Sequence, residues 1–375
     1  MRHVYIHVPF CRRRCTYCDF SIAVRKTIPA REFVAAVQTE HGMRRAAGEW
    51  DDEPLATLYL GGGTPSLLPA QALAALLHGF LSPLPRAEFS EREITLEANP
   101  EDVTADAAEA WVRAGVTRVS LGVQSLNPTV LAWMHRSHAG ETAAHAVSLL
   151  RRAGIRSLSV DLIFALPADL GVEFGPALQA ALALEPDHLS VYGLTREPRT
   201  AYARMLERGA ARAAADQRYE EEFLSAHQRL TAEGYQHYEV SNYARPGHES
   251  RHNRAYWTGA PYAGLGPSAH RFLRGRRSWN VAPWAWYQRR VSAGQDPTEG
   301  TEVLNAEQQA LEEAYLSLRT AQGSAPVGRL APAALQQAVS LGWLQADGGR
   351  VSATPLGWLR LDELVSVLTT LREGG

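Results

Sequence analysis

Short apolar runs alternate with amphipathic stretches along the first half of the chain. Strands are expected at about 3–8, 56–60, 93–97, 118–121, 158–163 and 188–192. Helices fall between them at about 30–48, 71–77, 104–114, 141–153 and 174–184, with Gly115 and Gly154 as stop signals after the third and fourth. Short strands separated by helices of ten to fifteen residues are the mark of parallel βαβ units, and six of them predict an α/β fold of partial or complete barrel type.

After about residue 195 the rhythm changes. An amphipathic helix over 213–232 precedes an aromatic, irregular stretch from Tyr235 to Trp286. A helical segment from about 305, the Asp347-Gly348-Gly349 turn between short β-like runs, and a last helix over 355–372 read as helix, hairpin, helix. The pattern predicts a small winged-helix-like module. The expected organisation is a barrel over 1–230, an aromatic-rich extension over 231–300 and the C-terminal module over 301–375.

Composition narrows the function classes. A hydrophobic content of 45% and a charged content of 21% describe a globular chain with ample core. A net charge of −2 gives no general attraction to nucleic acid or anionic membrane. No apolar stretch approaches the ~20 residues of a membrane helix. Met1 leads directly into Val4-Tyr5-Ile6-His7-Val8, so no secretory leader is expected. With cysteines kept as thiols, a cytoplasmic location follows.

The chain has 3 cysteines, Cys11, Cys15 and Cys18, all in the loop expected after the first strand. An odd number excludes a disulfide framework. A structural zinc would need a fourth ligand, which His3 or His7 could supply, but zinc sites usually pair their ligands in two separated groups. Three thiolates can also hold three corners of a 4Fe-4S cluster, leaving one iron open.

Polar residues at the expected strand ends converge on the same mouth. Gly61-Gly62-Gly63-Thr64-Pro65 follows strand two, Glu97-Ala98-Asn99-Pro100 ends strand three, and Gly122-Val123-Gln124-Ser125 ends strand four. Asp161 lies in strand five, and Tyr192-Gly193 ends strand six.

Together these motifs resemble the radical S-adenosylmethionine (SAM) superfamily. More narrowly, they are similar to the oxygen-independent coproporphyrinogen III oxidases, a likeness spanning nearly the whole chain. The resemblance implies a partial (β/α)6 barrel with a 4Fe-4S cluster on Cys11, Cys15 and Cys18. SAM would be bound at Gly62, Gly63, Thr64, Glu97, Gln124, Arg136 and Asp161, with Tyr5 and Tyr17 beside the cluster and the adenine. Arg136 suits a carboxylate, and the acidic groups suit the sulfonium or ribose hydroxyls.

Two departures separate the chain from the true oxidases. Phe20 stands where those enzymes carry a further cysteine, and no counterpart of their N-terminal extension is expected, with the first strand read from residue 3. Both point to the HemW-type branch, which implies a heme chaperone without coproporphyrinogen oxidase activity. His252-Asn253-Arg254-Ala255-Tyr256-Trp257 matches that branch's H-N-x-x-Y-W motif. Neutral imidazole is a common axial ligand of heme iron, and Tyr and Trp offer flat apolar surface. The resemblance therefore implies His252 as heme ligand, with His237, His248 or His270 as a second. Partners would be heme and heme-accepting apoproteins, with no nucleic acid and no membrane span, and a homodimer is compatible. The alternative is a radical SAM enzyme decarboxylating a tetrapyrrole. Arg12, Arg13 and Arg14 are expected as a solvated loop face, with propionates or an acidic partner as the functional alternative.

Overall fold

The structure, a computed structural model, describes residues 1–50, 53–82, 91–323 and 332–370. Six strands lie side by side in chain order: β1 (His3–Val8), β2 (Thr57–Gly62), β3 (Glu93–Ala98), β4 (Arg118–Gln124), β5 (Ser157–Phe164) and β6 (His188–Gly193). Every neighbouring pair among them is parallel. The crossovers are α1 (Ala30–Ala46), α2 (Ala70–Leu81), α3 (Ala105–Ala114), α4 (Pro128–Trp133) with α5 (Gly140–Ala153), and α6 (Phe174–Leu182). Helices α3 and α5 stop at Gly115 and Gly154, with φ of 106° and 96°, a conformation that any side chain would strain.

The strands have two unlike faces because successive side chains point to opposite sides. Val4, Ile6, Leu58, Leu60, Ile94, Leu96, Val119, Leu121, Val160 and Leu189 are buried in the continuous core shared with the helices. Each fully buried side chain of this kind contributes on the order of 2 kcal/mol. The alternate positions face a central cavity and are mostly polar: Tyr59, Glu97, Arg118, Ser120, Asp161, His188 and Ser190.

The stretch expected to be irregular after Tyr235 is regular. β7 (Gln236–Glu239) and β8 (Asn242–Ala244) extend the sheet antiparallel from β6, and β9 (Ala263–Leu265) pairs parallel with β1. The sheet thus has 9 strands in the order β9-β1-β2-β3-β4-β5-β6-β8-β7, drawn from both sides of residue 230. Strands of three or four residues carry too few positions to show a period, which is why the pattern missed them. Helices α7 (Ala201–Glu207) and α8 (Asp216–Ala232) lead into this region.

Helix α9 (Arg251–Trp257) carries the H-N-x-x-Y-W motif and closes the end of the barrel opposite the mouth. Its first N–H groups, on Arg251 and His252, donate to the Glu93 carboxylate at 2.8 and 2.9 Å, at the start of β3. A carboxylate at a helix N-terminus satisfies donors that the helix itself cannot. A separate three-stranded sheet follows: β10 (His270–Leu273), β11 (Arg276–Asn280) and, beyond α10 (Trp284–Ser292), β12 (Thr298–Val303).

The C-terminal module contains α11 (Ala306–Leu318), α12 (Pro332–Ser340), the hairpin β13 (Leu344–Asp347) and β14 (Arg350–Ala353), α13 (Pro355–Trp358) and α14 (Leu361–Thr370). Gly348 and Gly349 take φ of 55° and 78°, as the expected two-residue hairpin turn requires. The helix expected over 355–372 is broken into two, and its positions 371 and 372 lie outside the described residues.

Candidate cluster and cofactor site

The cysteine loop leaves β1 at the mouth and is held from several sides. Phe10 packs edge-to-face on Phe33 of α1 and Trp284 of α10, with ring centroids 5.6 and 5.4 Å away. Ala23 N donates to Pro9 O at 2.7 Å and Arg25 N to Cys11 O at 2.9 Å, closing the loop into a short two-stranded clip. Thr16 Oγ1 donates to Trp133 O at 2.6 Å, and Tyr202 N donates to Thr16 O at 2.9 Å. Arg14 braces the carbonyls of Cys18 and Phe20 at 3.3 and 3.4 Å. Arg12 reaches Asp102 at 2.8 Å, and Arg13 lines the cavity. The three arginines are therefore loop braces and rim as much as solvated face.

All three thiols are free and half-buried, and they line a cavity of about 520 Å³ that runs down the barrel axis. Among the described residues no three His, Cys, Asp or Glu side chains are grouped as a metal-ion site. Burial pushes the Cys18 thiol up to about 11 and raises Cys11, while Arg14 opposes the shift at both. Thr64 Oγ1 donates to Cys11 Sγ at 3.4 Å. A soft donor set facing an electropositive wall fits an iron–sulfur cluster, whose iron takes the thiolate form.

Beside the thiols, Glu97 is a strongly perturbed carboxylate. Burial pushes it up to about 7, Asp161 adds to the rise, and bonds from Tyr59 OH at 2.9 Å and Gly62 N at 3.0 Å oppose it. Asp161 is raised by burial too, but it accepts from Ser120 Oγ at 3.0 and 3.2 Å and Ser159 Oγ at 3.4 Å. Arg136 donates to Asn99 Oδ1 at 2.7 Å, to Gly122 O and, more weakly, to Cys15 Sγ at 3.9 Å. Its Nε is buried without a partner among the described residues, which suits it to an added acceptor. Gln124 follows a register shift in β4 and takes φ of 64°, a bulge that turns its side chain toward Gly122.

The glycine run is arranged differently from the expectation that its N–H groups and the Thr64 hydroxyl meet a ligand. Gly62 N donates to Glu97, Gly63 N to Val8 O at 2.8 Å, and Thr64 N to Phe10 O at 2.8 Å. With Thr64 Oγ1 on Cys11, all four donors hold the protein to itself. A Cβ at Gly63 would lie 2.8 Å from backbone atoms of Val8, Pro9 and Phe10, so glycine lets this turn clamp the cysteine loop. An incoming amino group is itself a donor and must be met by acceptors.

Tyr17 lines the cluster cavity, but Tyr5 does not. Tyr5 lines a second cavity of about 410 Å³, which meets the first at Phe20 and Gly62. His252, expected as a heme ligand, is buried with both ring nitrogens hydrogen-bonded. It is 1% exposed; Nδ1 is hydrogen-bonded to Thr57 Oγ1 at 2.7 Å and Nε2 to Tyr256 OH at 2.9 Å. Its ring stacks on Tyr59 at 5.2 Å, and burial, with His3 adding, lowers its pKa to about 3. Both nitrogens are thus occupied beneath the barrel floor, whereas Tyr256 and Trp257 of the same motif do reach the second cavity.

Tyr59, Arg118, Ser120, His188 and Ser190 were absent from the expected site, yet they line the cluster cavity. The signal was present: within each strand they stand at the positions alternating with the apolar ones.

Residues 5–175 match the family described as Radical SAM superfamily. The chain is 36% identical to Heme chaperone HemW of Mycobacterium tuberculosis over 97% of this chain and 94% of that one. Against Heme chaperone HemW of Bacillus subtilis it is 32% identical, covering 86% and 84%. The fold is that of coproporphyrinogen III oxidase (HemN) from Escherichia coli, with a TM-score of 0.79 and 20% identity over 98% of this chain and 90% of that one. With 36% and 32% identity to two HemW chains over most of both lengths, this protein belongs to the HemW family of the radical SAM superfamily.

Proposed function

We propose that the protein is a heme chaperone: it carries a 4Fe-4S cluster on Cys11, Cys15 and Cys18, binds SAM beside it, and holds heme for delivery to acceptor apoproteins. The observation that carries this reading is the pair of adjoining cavities, one lined by the three thiols, the other walled by Tyr256 and Trp257 of the H-N-x-x-Y-W motif. The name of the related proteins, heme chaperone, supports it.

In this reading Glu97 and the carbonyl oxygens of Gly62 and Gly63 accept from the amino end of SAM, because the neighbouring N–H groups are already spent. Arg136, Tyr17, Gln124 and Asp161 orient its carboxylate, adenine and ribose. When bound, the cluster and SAM supply one-electron chemistry; the residues named here orient the cofactor and exclude water. Phe20 stands between the two cavities where the oxidases have a further cysteine.

The test uses anaerobically reconstituted protein supplied with hemin, SAM and a heme-free acceptor. Transfer of heme to the acceptor is expected, measured by the acceptor's absorption spectrum. Coproporphyrinogen supplied in parallel is expected to remain unconverted, and appreciable decarboxylation would overturn the chaperone reading.

A further inference from the structure

We infer that His270, rather than His252, presents the axial nitrogen to heme iron, in the second cavity of about 410 Å³ beside the cluster. This deepens the chaperone reading and rests on it. Three observations lead there.

First, the histidines near the motif are not equivalent. His252 has both ring nitrogens bonded, as above. His7 faces the same cavity, but its Nε2 is bonded to Ser21 O at 2.9 Å and its Nδ1 to Tyr5 OH at 3.1 Å. His237 is bonded to His227 at 2.9 Å and stacked on Tyr243 at 3.9 Å; His248 is bonded to Ser157 at 3.4 Å. His270 lines the cavity, is exposed, and has no hydrogen-bond partner on either ring nitrogen among the described residues.

Second, His270 is held. Its ring lies nearly parallel to Trp279 on the neighbouring strand, 5.7 Å away with an interplanar angle of 23°. Its backbone presses on Gly264, where a Cβ would sit 1.8 Å from the His270 carbonyl oxygen. Partial burial and the charge of Arg277 lower its pKa below the ordinary value, which favours the neutral imidazole with its lone pair available.

Third, the cavity suits a flat macrocycle. Phe20, Tyr256, Trp257, Tyr262 and Phe272 form its walls, and Tyr256 meets Tyr262 edge-to-face at 4.6 Å. Aromatic walls with a few convergent polar groups, here His270 with Ser268 and the Arg277–Glu312 pair, are the usual form of a cofactor pocket. His252 then acts as a positioning residue: through the bond from its Nε2 to Tyr256 OH it holds one of the walls.

The test titrates ferric hemin into the full chain and reads iron coordination by absorption and electron paramagnetic resonance. Wild type is expected to show a histidine-ligated iron. His270→Ala is expected to lose that signature, to bind hemin at least about tenfold more weakly, and to regain the signature when imidazole is added. His252→Ala is expected to weaken hemin binding while leaving the coordination signature unchanged. Metal-free protoporphyrin IX, which has no iron to ligate, is expected to bind wild type and His270→Ala alike. An unchanged iron signature in His270→Ala overturns this assignment alone, and so does loss of protoporphyrin binding in the same variant. A wild-type chain that takes up no hemin overturns the chaperone reading and this assignment with it.

Discussion

Two buried glutamates show how the same side chain serves structure in one region and a ligand site in another. Glu40 of α1 accepts from Asn280 Nδ2 at 2.7 Å, Tyr287 OH at 2.7 Å, Gly266 N at 2.9 Å and Arg44 at 3.3 Å. Burial alone would lower the Arg44 pKa, but Glu40, Glu49 and Asp296 outweigh it. This corner ties α1 to the strands after residue 260, and both Glu40 oxygens are doubly engaged. Glu97 at the barrel mouth has a phenol and one N–H and, among the described residues, no bonded cation. Burial raises both carboxyls, so burial does not distinguish them. The difference lies in what partners remain to be found. A buried carboxylate with unfilled acceptor capacity, facing a cavity, marks a place for a cationic or amino-bearing ligand.

The comparison breaks most severely at Glu40. Glu40→Ala removes the one fully buried counter-charge of Arg44 and the shared acceptor of Asn280, Tyr287 and Gly266, and should cost about 3–5 kcal/mol in urea denaturation. Glu97→Gln should act through pH instead. The folded carboxyl titrates at about 7 against an ordinary 4.5, so the folded state binds the extra proton between those values. Stability from this group is therefore present below 4.5 and is lost as pH rises through about 7. Thermal melts of the cofactor-free proteins should show the wild type losing stability across that window relative to Glu97→Gln. SAM should also bind the variant more weakly in equilibrium dialysis.

A smaller loss is expected at Gly62, the backbone donor to Glu97. Its φ is 109° and a Cβ would lie 2.5 Å from the His7 ring, so Gly62→Ala should cost roughly 1–3 kcal/mol by calorimetry. The least should follow from Arg12→Ala. The Arg12 side chain is 62% exposed, and its pair with Asp102 should be worth below about 1 kcal/mol. If Arg12→Ala matched Glu40→Ala in cost, the distinction between a closed buried network and a solvent-screened pair would fail for this protein.

The barrel was legible because its signals are local. Strand and helix periods, the glycine stops and the hairpin turn each depend on residues within a few positions of one another, and all recur in the structure. The short strands β7, β8 and β9 were not legible, since their sheet membership depends on β6 and β1, far away in the chain. The candidate site divides in the same way. Tyr17, Gly62, Gly63, Thr64, Glu97, Gln124, Arg136 and Asp161 do line one cavity with the three cysteines. Tyr5 turns into the neighbouring cavity, and which donors of the glycine run are free depends on Val8, Phe10 and Glu97.

By itself, the sequence determined the chemistry on offer: the C-x3-C-x2-C spacing, the missing fourth cysteine at Phe20, the glycine turn after the second strand and the H-N-x-x-Y-W motif. These are covalent facts, and the alternating βαβ pattern follows from short-range periodicity. Only the tertiary structure decided how that chemistry is distributed. It buried His252 against Thr57 and Tyr256, left His270 facing an aromatic-walled cavity, and committed the glycine-run N–H groups to the cysteine loop. Whether a nitrogen or a carboxylate is free depends on partners brought together through space. Composition and spacing cannot state which hydrogen bonds have already been made.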